Sequence, residues 1–363
     1  MLQQFFDQGW HTQAPIINGE PDPEFFFGTF VYGPVGILFT HLVSALLGRE
    51  DLWGTVQLTA AAYEGRHFGT VIWGLLGVAA VGVSVALITR SKRWGFLAAA
   101  VLSSVPLWMG HSLFNVMDVP TATGYTIFSL GMVALLDDLY FARRYLRFLA
   151  VGAISLGLFI TLGTRTGLAL PLILSLPLLL VVLRVLDLGA PSRYPSKRRL
   201  LRRFLEGIAG YVLAYALLVL LYPNAFLDPI NVGVKSLLDS ALYPVNEAQL
   251  TNGTWLLQPV SWTYQPLWFG SQLPLLVIAG LLLFIVVVIR VLFQRARSSR
   301  TNLPIKPWVK SSTPFVLQLL LVPAAAIVGS STLYNGTRQV LMVVPAAAVL
   351  ATLGIRALVT QRR

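Results

Sequence analysis

Long apolar blocks, separated by short polar and basic segments, run along most of this sequence. A helix needs roughly 20 mostly apolar residues to cross about 30 Å of hydrocarbon, and nine blocks come close to that length. Several of them contain Gly or Pro, which bundle helices tolerate where neighbouring groups satisfy the backbone. The pattern therefore predicts about nine transmembrane helices. The predicted spans are 70–89, 95–111, 119–136, 147–163, 167–185, 207–222, 271–291, 314–331 and 339–357.

The apolar segment 33–48 is short and has His41 in its middle. If it crossed the membrane, residues 1–27 would be cytoplasmic, although they contain four acidic residues and no Lys or Arg. We therefore interpret 33–48 as an interfacial helix lying on the outer leaflet, which makes all of 1–69 external.

Composition agrees with the span pattern. Hydrophobic residues make up 56% of the 363 positions and charged residues only 12%, whereas soluble domains are about 25% charged. The expected fold is all-α and integral to the membrane: a polytopic helical bundle with external loops and an interfacial helix. Cysteine is absent, which excludes disulfides, thiol nucleophiles and zinc–thiolate sites from the chain.

Charge orients the bundle. Threading the nine spans places all but five of the 27 Lys and Arg residues on one side, which the positive-inside rule makes cytoplasmic. The C-terminus lies on that side, and 11 of the 15 acidic residues lie on the other. The net charge of +12 thus reflects topology and contact with anionic membrane lipids. No basic segment is interleaved with aromatics, which argues against nucleic acid as a partner. The five external bases are Arg49, Arg66, Arg165, Lys235 and Arg338.

The same threading predicts a multi-pass protein of the cell membrane in four parts. These are an external acid-rich segment with the interfacial helix (1–69), a first transmembrane bundle (70–222), an external loop (223–270) and the C-terminal transmembrane helices (271–363).

Polar residues near membrane depth are costly and are therefore candidate functional groups. Near the start, Asp7 and His11 suit general-base chemistry or a cation site, although taken alone they are better explained by a solvated N-terminal segment. A later external turn brings together His111, Asn115 and Asp118. Asp118 is either a site residue or a cap for the following helix, and both roles are compatible.

Two external turns carry arginines. Arg338 lies in the tight turn 334–339, where a guanidinium can pair bidentately with a lipid phosphate. The alternative is contact with headgroups at the membrane surface. Arg165, in the turn 163–167, is interpreted as a simple break between two spans. The aromatic loop 252–269 can stack on sugars, but taken alone it is more typical of an interfacial belt.

The order of these elements resembles the polyprenyl-phosphate-sugar-dependent glycosyltransferases of the GT-C fold, the group that contains the protein O-mannosyltransferase-like enzymes. The resemblance covers most of the chain. The elements that carry it are Asp7; Tyr32-Gly33-Pro34; Tyr63-Glu64-Gly65-Arg66-His67; Gly110-His111 with Phe114-Asn115 and Asp118-Val119-Pro120; Trp262 to Pro274; and Tyr334-Asn335-Gly336 with Arg338-Gln339 and Pro345.

The resemblance implies transfer of a sugar from a polyprenyl-phosphate carrier to an acceptor hydroxyl at the external face. Asp7 would be the base, Asp118 a second acid that orients the acceptor or a metal, and Arg338 the phosphate ligand. The acceptor would be a glycan, a lipid or a protein. No cofactor is certain, and a divalent metal is an open option. The remaining substrate-binding candidates are His11, Tyr32, Arg66, His67, His111, Asn115, Tyr264 and Tyr334.

The chain departs from that family at identifiable positions. Val116-Met117 replaces an expected Pro-Lys, and Gln8 replaces the second acid of an Asp-Glu pair. Family members open with a helix that ends at the first Asp, whereas Met1 lies six positions before Asp7, so either the start is truncated or that helix is absent. A transporter or flippase of a lipid-linked or small polar substrate is the main alternative function, and a non-catalytic GT-C-like scaffold is a third.

Overall fold

Helices make up nearly all of the regular structure in the computed structural model of this chain. The structure describes residues 33–53, 59–137, 139–140, 142–187, 197–221, 234, 237–239, 248–251, 253–258, 260–297 and 307–361. The helices are α1 (Val35–Leu46), α2 (Ala60–Thr89), α3 (Lys92–Ser103), α4 (Pro106–Ser112), α5 (Asp118–Leu136), α6 (Arg144–Leu162), α7 (Ala169–Asp187), α8 (Lys197–Leu221), α9 (Tyr264–Gln272), α10 (Leu275–Arg297), α11 (Pro307–Ser311), α12 (Thr313–Val328) and α13 (Val343–Gln361). Strands β1 (Gln249–Thr251) and β2 (Thr254–Leu256) form an antiparallel hairpin.

Within the described ranges, eight helical segments are long and apolar enough to cross a membrane. The chain is therefore an all-α, polytopic integral membrane protein, as its sequence predicts. The eight are α2, α5, α6, α7 with the 3₁₀ turn before it, α8, α10, α11 joined to α12, and α13.

The predicted span 95–111 is wrong as a single helix. Here the chain forms two shorter helices, α3 and α4, that meet at Val105 and Pro106. Val105 is extended (φ −79°, ψ 113°), because a residue before proline is disfavoured in the helical conformation. The pair still runs antiparallel to α2, since a Cβ on Gly82 would lie 3.2 Å from the Gly95 carbonyl oxygen and one on Gly77 would lie 2.6 Å from the Trp108 ring.

Helix α2 begins at Ala60, earlier than the predicted span at 70. Its first turn is stabilised by Thr59, whose hydroxyl accepts a hydrogen bond from the Ala62 N–H at 3.2 Å. It ends at Thr89, and the next residue, Arg90, adopts the left-handed conformation (φ 57°) that often ends a helix. The polar residues 63–67 therefore lie on the first turns of a long helix.

The short apolar segment forms α1, a helix of 12 residues that is about 18 Å long and too short to span. It packs closely on α2, because Gly65 and Gly69 leave room for Ser44 and Thr40. Its start is tied to the turn after α6, where the Gly33 N–H donates to the Thr164 carbonyl at 2.9 Å. The predicted helix is confirmed, and its position on the outer leaflet stays a prediction.

Ionic side chains mark the two ends of the bundle. At one, here called the basic end, Arg90 pairs with Asp137 at 2.6 Å, and Arg147 pairs with Glu206 at 2.6 Å. At the other, here called the site end, Asp118 begins α5. The C-terminal ends of α2 and α5 and the N-terminal ends of α6 and α8 therefore lie at the basic end. These are the directions that the sequence threading predicts.

Helix α5 lies at the centre, with nearly every residue buried. It meets α6 at very close range, because a Cβ on Gly131 would lie 2.6 Å from the Ile154 nitrogen and one on Gly157 would lie 2.6 Å from the Gly124 carbonyl oxygen. On the opposite face, the buried Gln318 of α12 accepts from Ser129 at 2.7 Å. These contacts fix the helix whose first residue is Asp118.

Candidate functional site

The turn before α5 orders three of the predicted site residues. The Asn115 side-chain oxygen accepts hydrogen bonds from the backbone N–H groups of Met117 (3.2 Å) and Asp118 (2.8 Å). Its Nδ2 donates to Asp118 Oδ2 at 2.8 Å and lies 3.2 Å from His111 Nδ1. The Asn115 side chain, and not that of Asp118, therefore accepts the hydrogen bond from the first backbone N–H of α5. This leaves the Asp118 carboxylate available for other partners.

Two arginines from distant parts of the chain bind that carboxylate. Arg165 donates from Nη1 to Asp118 Oδ1 at 2.5 Å, and Arg338 donates from Nε to Oδ2 at 3.0 Å. The Asp118 side chain is only 3% exposed, whereas that of Arg338 is 41% exposed. Two guanidiniums against one carboxylate leave a net positive charge on this cluster of three residues.

His111 adds no further charge to this group at neutral pH. Burial lowers the pKa of its imidazole, the Asp118 carboxylate opposes that shift, and the nearby Arg338 guanidinium lowers the pKa further. The ring is therefore neutral at pH 7 and available as a hydrogen-bond donor or acceptor.

An apolar cavity opens beside Arg165. Its volume is about 260 Å³, and it lies between the start of α7 and the end of α12. Leu168, Pro171 and Val322 contribute apolar walls, while Arg165 and Gln339 bring polar atoms to it. The cavity therefore combines an apolar lining with the positively charged Arg165.

A second buried ion pair lies between α1 and α2. The Glu50 side chain is fully buried, and both of its carboxylate oxygens accept hydrogen bonds from Arg66, at 2.9 and 3.1 Å. His41 Nδ1 lies 3.4 Å from the same carboxylate, and the Arg66 guanidinium stacks over the Tyr63 ring at 4.9 Å. This cluster joins the two helices and is separate from the contacts of Asp118.

The structure brings together some predicted site residues and separates others. His111, Asn115, Asp118 and Arg338 form one cluster. Tyr264 contacts the Arg338 turn, where its hydroxyl accepts from the Gly336 N–H at 2.9 Å, and Tyr334 belongs to that turn.

Arg66 binds Glu50 instead of Asp118, and the exposed His67 ring lies 6.4 Å from Tyr63, so neither residue contacts Asp118. Asp7, His11 and Tyr32 lie outside the described residues.

Arg165 is the residue that the sequence interpretation missed. The sequence predicts only a break between spans at this position, yet Arg165 makes the shortest contact to Asp118. The signal that singles out Arg338, a base on the acidic side of the bundle, applies equally to Arg165. Among the described residues, no group of three or more His, Asp or Glu side chains is placed to hold a metal ion.

Comparison with solved structures identifies the architecture. The chain matches the crystal structure of ArnT from Cupriavidus metallidurans bound to undecaprenyl phosphate, with a TM-score of 0.52 and 19% identity over 90% of this chain and 50% of that one. The apo structure of the same protein matches with the same TM-score and identity, over 99% of this chain and 55% of that one. The chain has the GT-C fold.

The comparison is one of fold. At 19% identity the two ArnT structures establish a shared architecture, and the present chain spans about half the length of ArnT. No protein-family model matches the chain, and no curated protein matches its sequence. Membership of the protein O-mannosyltransferase-like group stays a proposal.

Proposed function

We propose that this chain is a membrane glycosyltransferase that moves a sugar from a polyprenyl-phosphate carrier to an acceptor hydroxyl. The observation that carries the proposal is the contact of Arg165 and Arg338 with Asp118, together with the apolar cavity that Arg165 lines. A polyprenyl phosphate has the matching chemistry, with an anionic head and a hydrocarbon tail. Support also comes from the fold, since ArnT shares it and binds undecaprenyl phosphate.

The two arginines would bind the phosphate. Arg338 contacts Asp118 through Nε. Within the part of the chain that the structure describes, its terminal nitrogens make no hydrogen bond. A guanidinium can pair with phosphate through two parallel N–H groups. Asp118 then serves to orient both cations, since its oxygens already accept from Arg165, Arg338 and Asn115.

The reaction breaks the bond between the anomeric carbon of the sugar and the phosphate oxygen. The acceptor oxygen forms the new bond to that carbon, and the leaving polyprenyl phosphate takes the electron pair. Cations at the leaving group stabilise the developing charge. The proton of the acceptor hydroxyl must go to a base, and we assign that role to Asp7 from the sequence resemblance. We do not assign this role to Asp118, because its oxygens already accept hydrogen bonds from Arg165, Arg338 and Asn115.

We also propose that the site end faces the exterior of the cell. The support is electrostatic: the threading places nearly all Lys and Arg residues at the basic end, which the positive-inside rule makes cytoplasmic. The carrier lipid would then present its sugar in the outer leaflet, and the acceptor would be a glycan, a lipid or a protein of the cell envelope.

The direct test is an assay of the full-length chain in membranes with radiolabelled polyprenyl-phosphate sugars. We expect label to move from the carrier fraction to an acceptor, and the Arg338→Ala variant to lose that transfer. Failure of the purified protein to bind polyprenyl phosphate at all would overturn the proposal. Transmembrane movement of the intact labelled carrier without cleavage would instead favour the flippase.

A further inference from the structure

Five consecutive backbone N–H groups in the turn before Arg338 donate to side-chain oxygens. Most protein N–H groups bond to backbone carbonyls or to water, so an unbroken run of side-chain acceptors is a specific arrangement. The pairs are Leu333 with Gln258 Oε1 (3.3 Å), Tyr334 with Gln339 Oε1 (3.1 Å), Asn335 with Gln249 Oε1 (3.1 Å), Gly336 with the Tyr264 hydroxyl (2.9 Å) and Thr337 with Gln272 Oε1 (3.3 Å).

Four of the five acceptors come from one segment, the β1–β2 hairpin and α9 with the residues that join them. Here these four residues, Gln249, Gln258, Tyr264 and Gln272, are called the amide clamp. Two of them make a second contact with the turn. Gln258 Nε2 donates to the Leu333 carbonyl at 2.6 Å, and Gln272 Oε1 also accepts from the Thr337 hydroxyl.

The backbone of this turn includes two consecutive residues in the left-handed conformation. Asn335 and Gly336 are both left-handed, with φ of 57° and 67°. A Cβ on Gly336 would lie 2.9 Å from Gln272 Nε2 and 3.1 Å from the Trp268 ring, so the clamp fits tightly against main chain. Burial raises the pKa of the Tyr264 phenol, which therefore stays protonated and presents an oxygen lone pair to Gly336.

Arg338 follows the clamped residues directly and begins a 3₁₀ turn through Val340. The position of the five clamped amides consequently sets where its guanidinium lies relative to Asp118. We propose that Gln258, Tyr264 and Gln272 are positioning residues that hold Arg338 in place for the phosphate of the lipid-linked donor. This inference rests on the proposed function for the identity of the ligand, and on the geometry alone for the position of Arg338.

The test compares Tyr264→Phe and Gln272→Ala with the control Ser271→Ala in the full-length protein. Ser271 lies on the same helix and is exposed, and among the described residues it bonds only to the Trp268 carbonyl of its own helix. We expect each clamp variant to weaken binding of polyprenyl phosphate about fivefold, as expected for the loss of roughly one hydrogen bond. The control should bind as the wild type does.

A second measurement reports the position of Arg338 without using the lipid. Arg338 lowers the pKa of His111, so NMR titration of isotope-labelled histidine should show a higher His111 pKa when the guanidinium moves away. The clamp variants should shift it in the same direction as Arg338→Gln does.

Each outcome is decisive. Unchanged lipid affinity and an unchanged His111 pKa in both clamp variants would overturn the inference. A loss of thermal stability and of lipid affinity with an unchanged His111 pKa would overturn it as well, because the amide clamp would then be only structural. If Arg338→Gln itself leaves lipid binding intact, the proposed function fails, whereas the His111 titration still decides whether the clamp positions Arg338.

Discussion

Arg338 and Asp118 are 220 positions apart in the sequence and meet through a 3.0 Å hydrogen bond from Nε to Oδ2. Asp118 begins a helix that is almost wholly buried, whereas Arg338 comes from a turn between α12 and α13. The contact therefore joins the first half of the bundle to its C-terminal helices. It also fixes which part of the guanidinium is occupied, and so which part remains for an anion.

Arg338→Ala should weaken binding of polyprenyl phosphate at least about tenfold. A hydrogen bond to a charged group contributes roughly 1.5–3 kcal/mol, and 1.4 kcal/mol is a factor of ten. Arg338→Lys should recover only part of the affinity, because an ammonium cannot pair bidentately. Titration of the purified protein with the lipid measures this. The control is Arg49→Ala, an exposed base with only a 4.0 Å pair to Glu64; an equal loss there would mean a nonspecific charge effect.

Arg165 and Asp118 should show strong energetic coupling. Each single change, Arg165→Ala or Asp118→Ala, leaves a largely buried charge with fewer partners, whereas the double variant removes both. We expect a coupling free energy of roughly 0.5–3 kcal/mol in a double-mutant cycle, measured by thermal unfolding in detergent. Additive single effects would show that the 2.5 Å contact does not stabilise the protein.

The pKa of His111 should respond to its two charged neighbours in opposite directions. Arg338→Gln removes a cation and should raise the pKa, while Asp118→Asn removes an anion and should lower it. NMR titration of labelled histidine measures both shifts. Shifts in the same direction would contradict the arrangement of charges described here.

His111 should also make the fold sensitive to acid. Its pKa is lowered on folding from 6.5, so the unfolded chain binds the proton more readily. The corresponding stability is present above about pH 6.5 and is lost as the pH falls through the lower, folded-state pKa. His111→Gln should therefore reduce the drop in melting temperature below pH 6.5. A drop as large as that of the wild type would contradict this role of His111.

Substitutions at Asp7 and Asp118 should distinguish the chemical step from binding of the lipid carrier. If Asp7 is the base, Asp7→Asn abolishes sugar transfer but leaves carrier affinity near that of the wild type. Asp118→Asn should lose both, because Asp118 orients the two arginines. The measurements are transfer in membranes and lipid binding by the purified protein. Near-normal transfer by Asp7→Asn would remove Asp7 from the site.

The absence of cysteine allows a clean test of orientation. A single cysteine replacing exposed Ser271, near the site end, should react with a membrane-impermeant maleimide on intact cells. One replacing exposed Lys92, near the basic end, should react only after permeabilisation. A tag at the N-terminus should behave like position 271, because we predict that 1–69 is external. The reverse pattern would invert the topology.

Much of the fold follows from hydrophobic patterning, because lipid requires continuous apolar helices. The error at 95–111 has a local cause: hydropathy does not distinguish a continuous helix from two helices that break at Pro106. The late start assigned to α2 has a different cause. Its first ten residues include charged and polar side chains that a span search omits, although they are helical.

The site was accessible from sequence only in part. His111, Asn115 and Asp118 lie within eight consecutive residues, so their proximity can be predicted without knowing how the helices pack. The pairing of Arg165 and Arg338 with one carboxylate depends on how α6 and the C-terminal helices pack, which the charge pattern does not encode. The glutamines of the amide clamp act on backbone amides, and no side-chain motif marks such contacts in a sequence.

The packing of α5 against α6 has a consequence for how the site can open. Asp118 is the first residue of α5, and Arg165 follows α6 by three positions, so their separation is set by two helices in glycine-mediated backbone contact. Arg338, by contrast, is held by side-chain hydrogen bonds to its turn. If the site opens to exchange an anion, α5 and α6 can stay in contact while the change occurs on the Arg338 side. Such an opening would break contacts of the amide clamp.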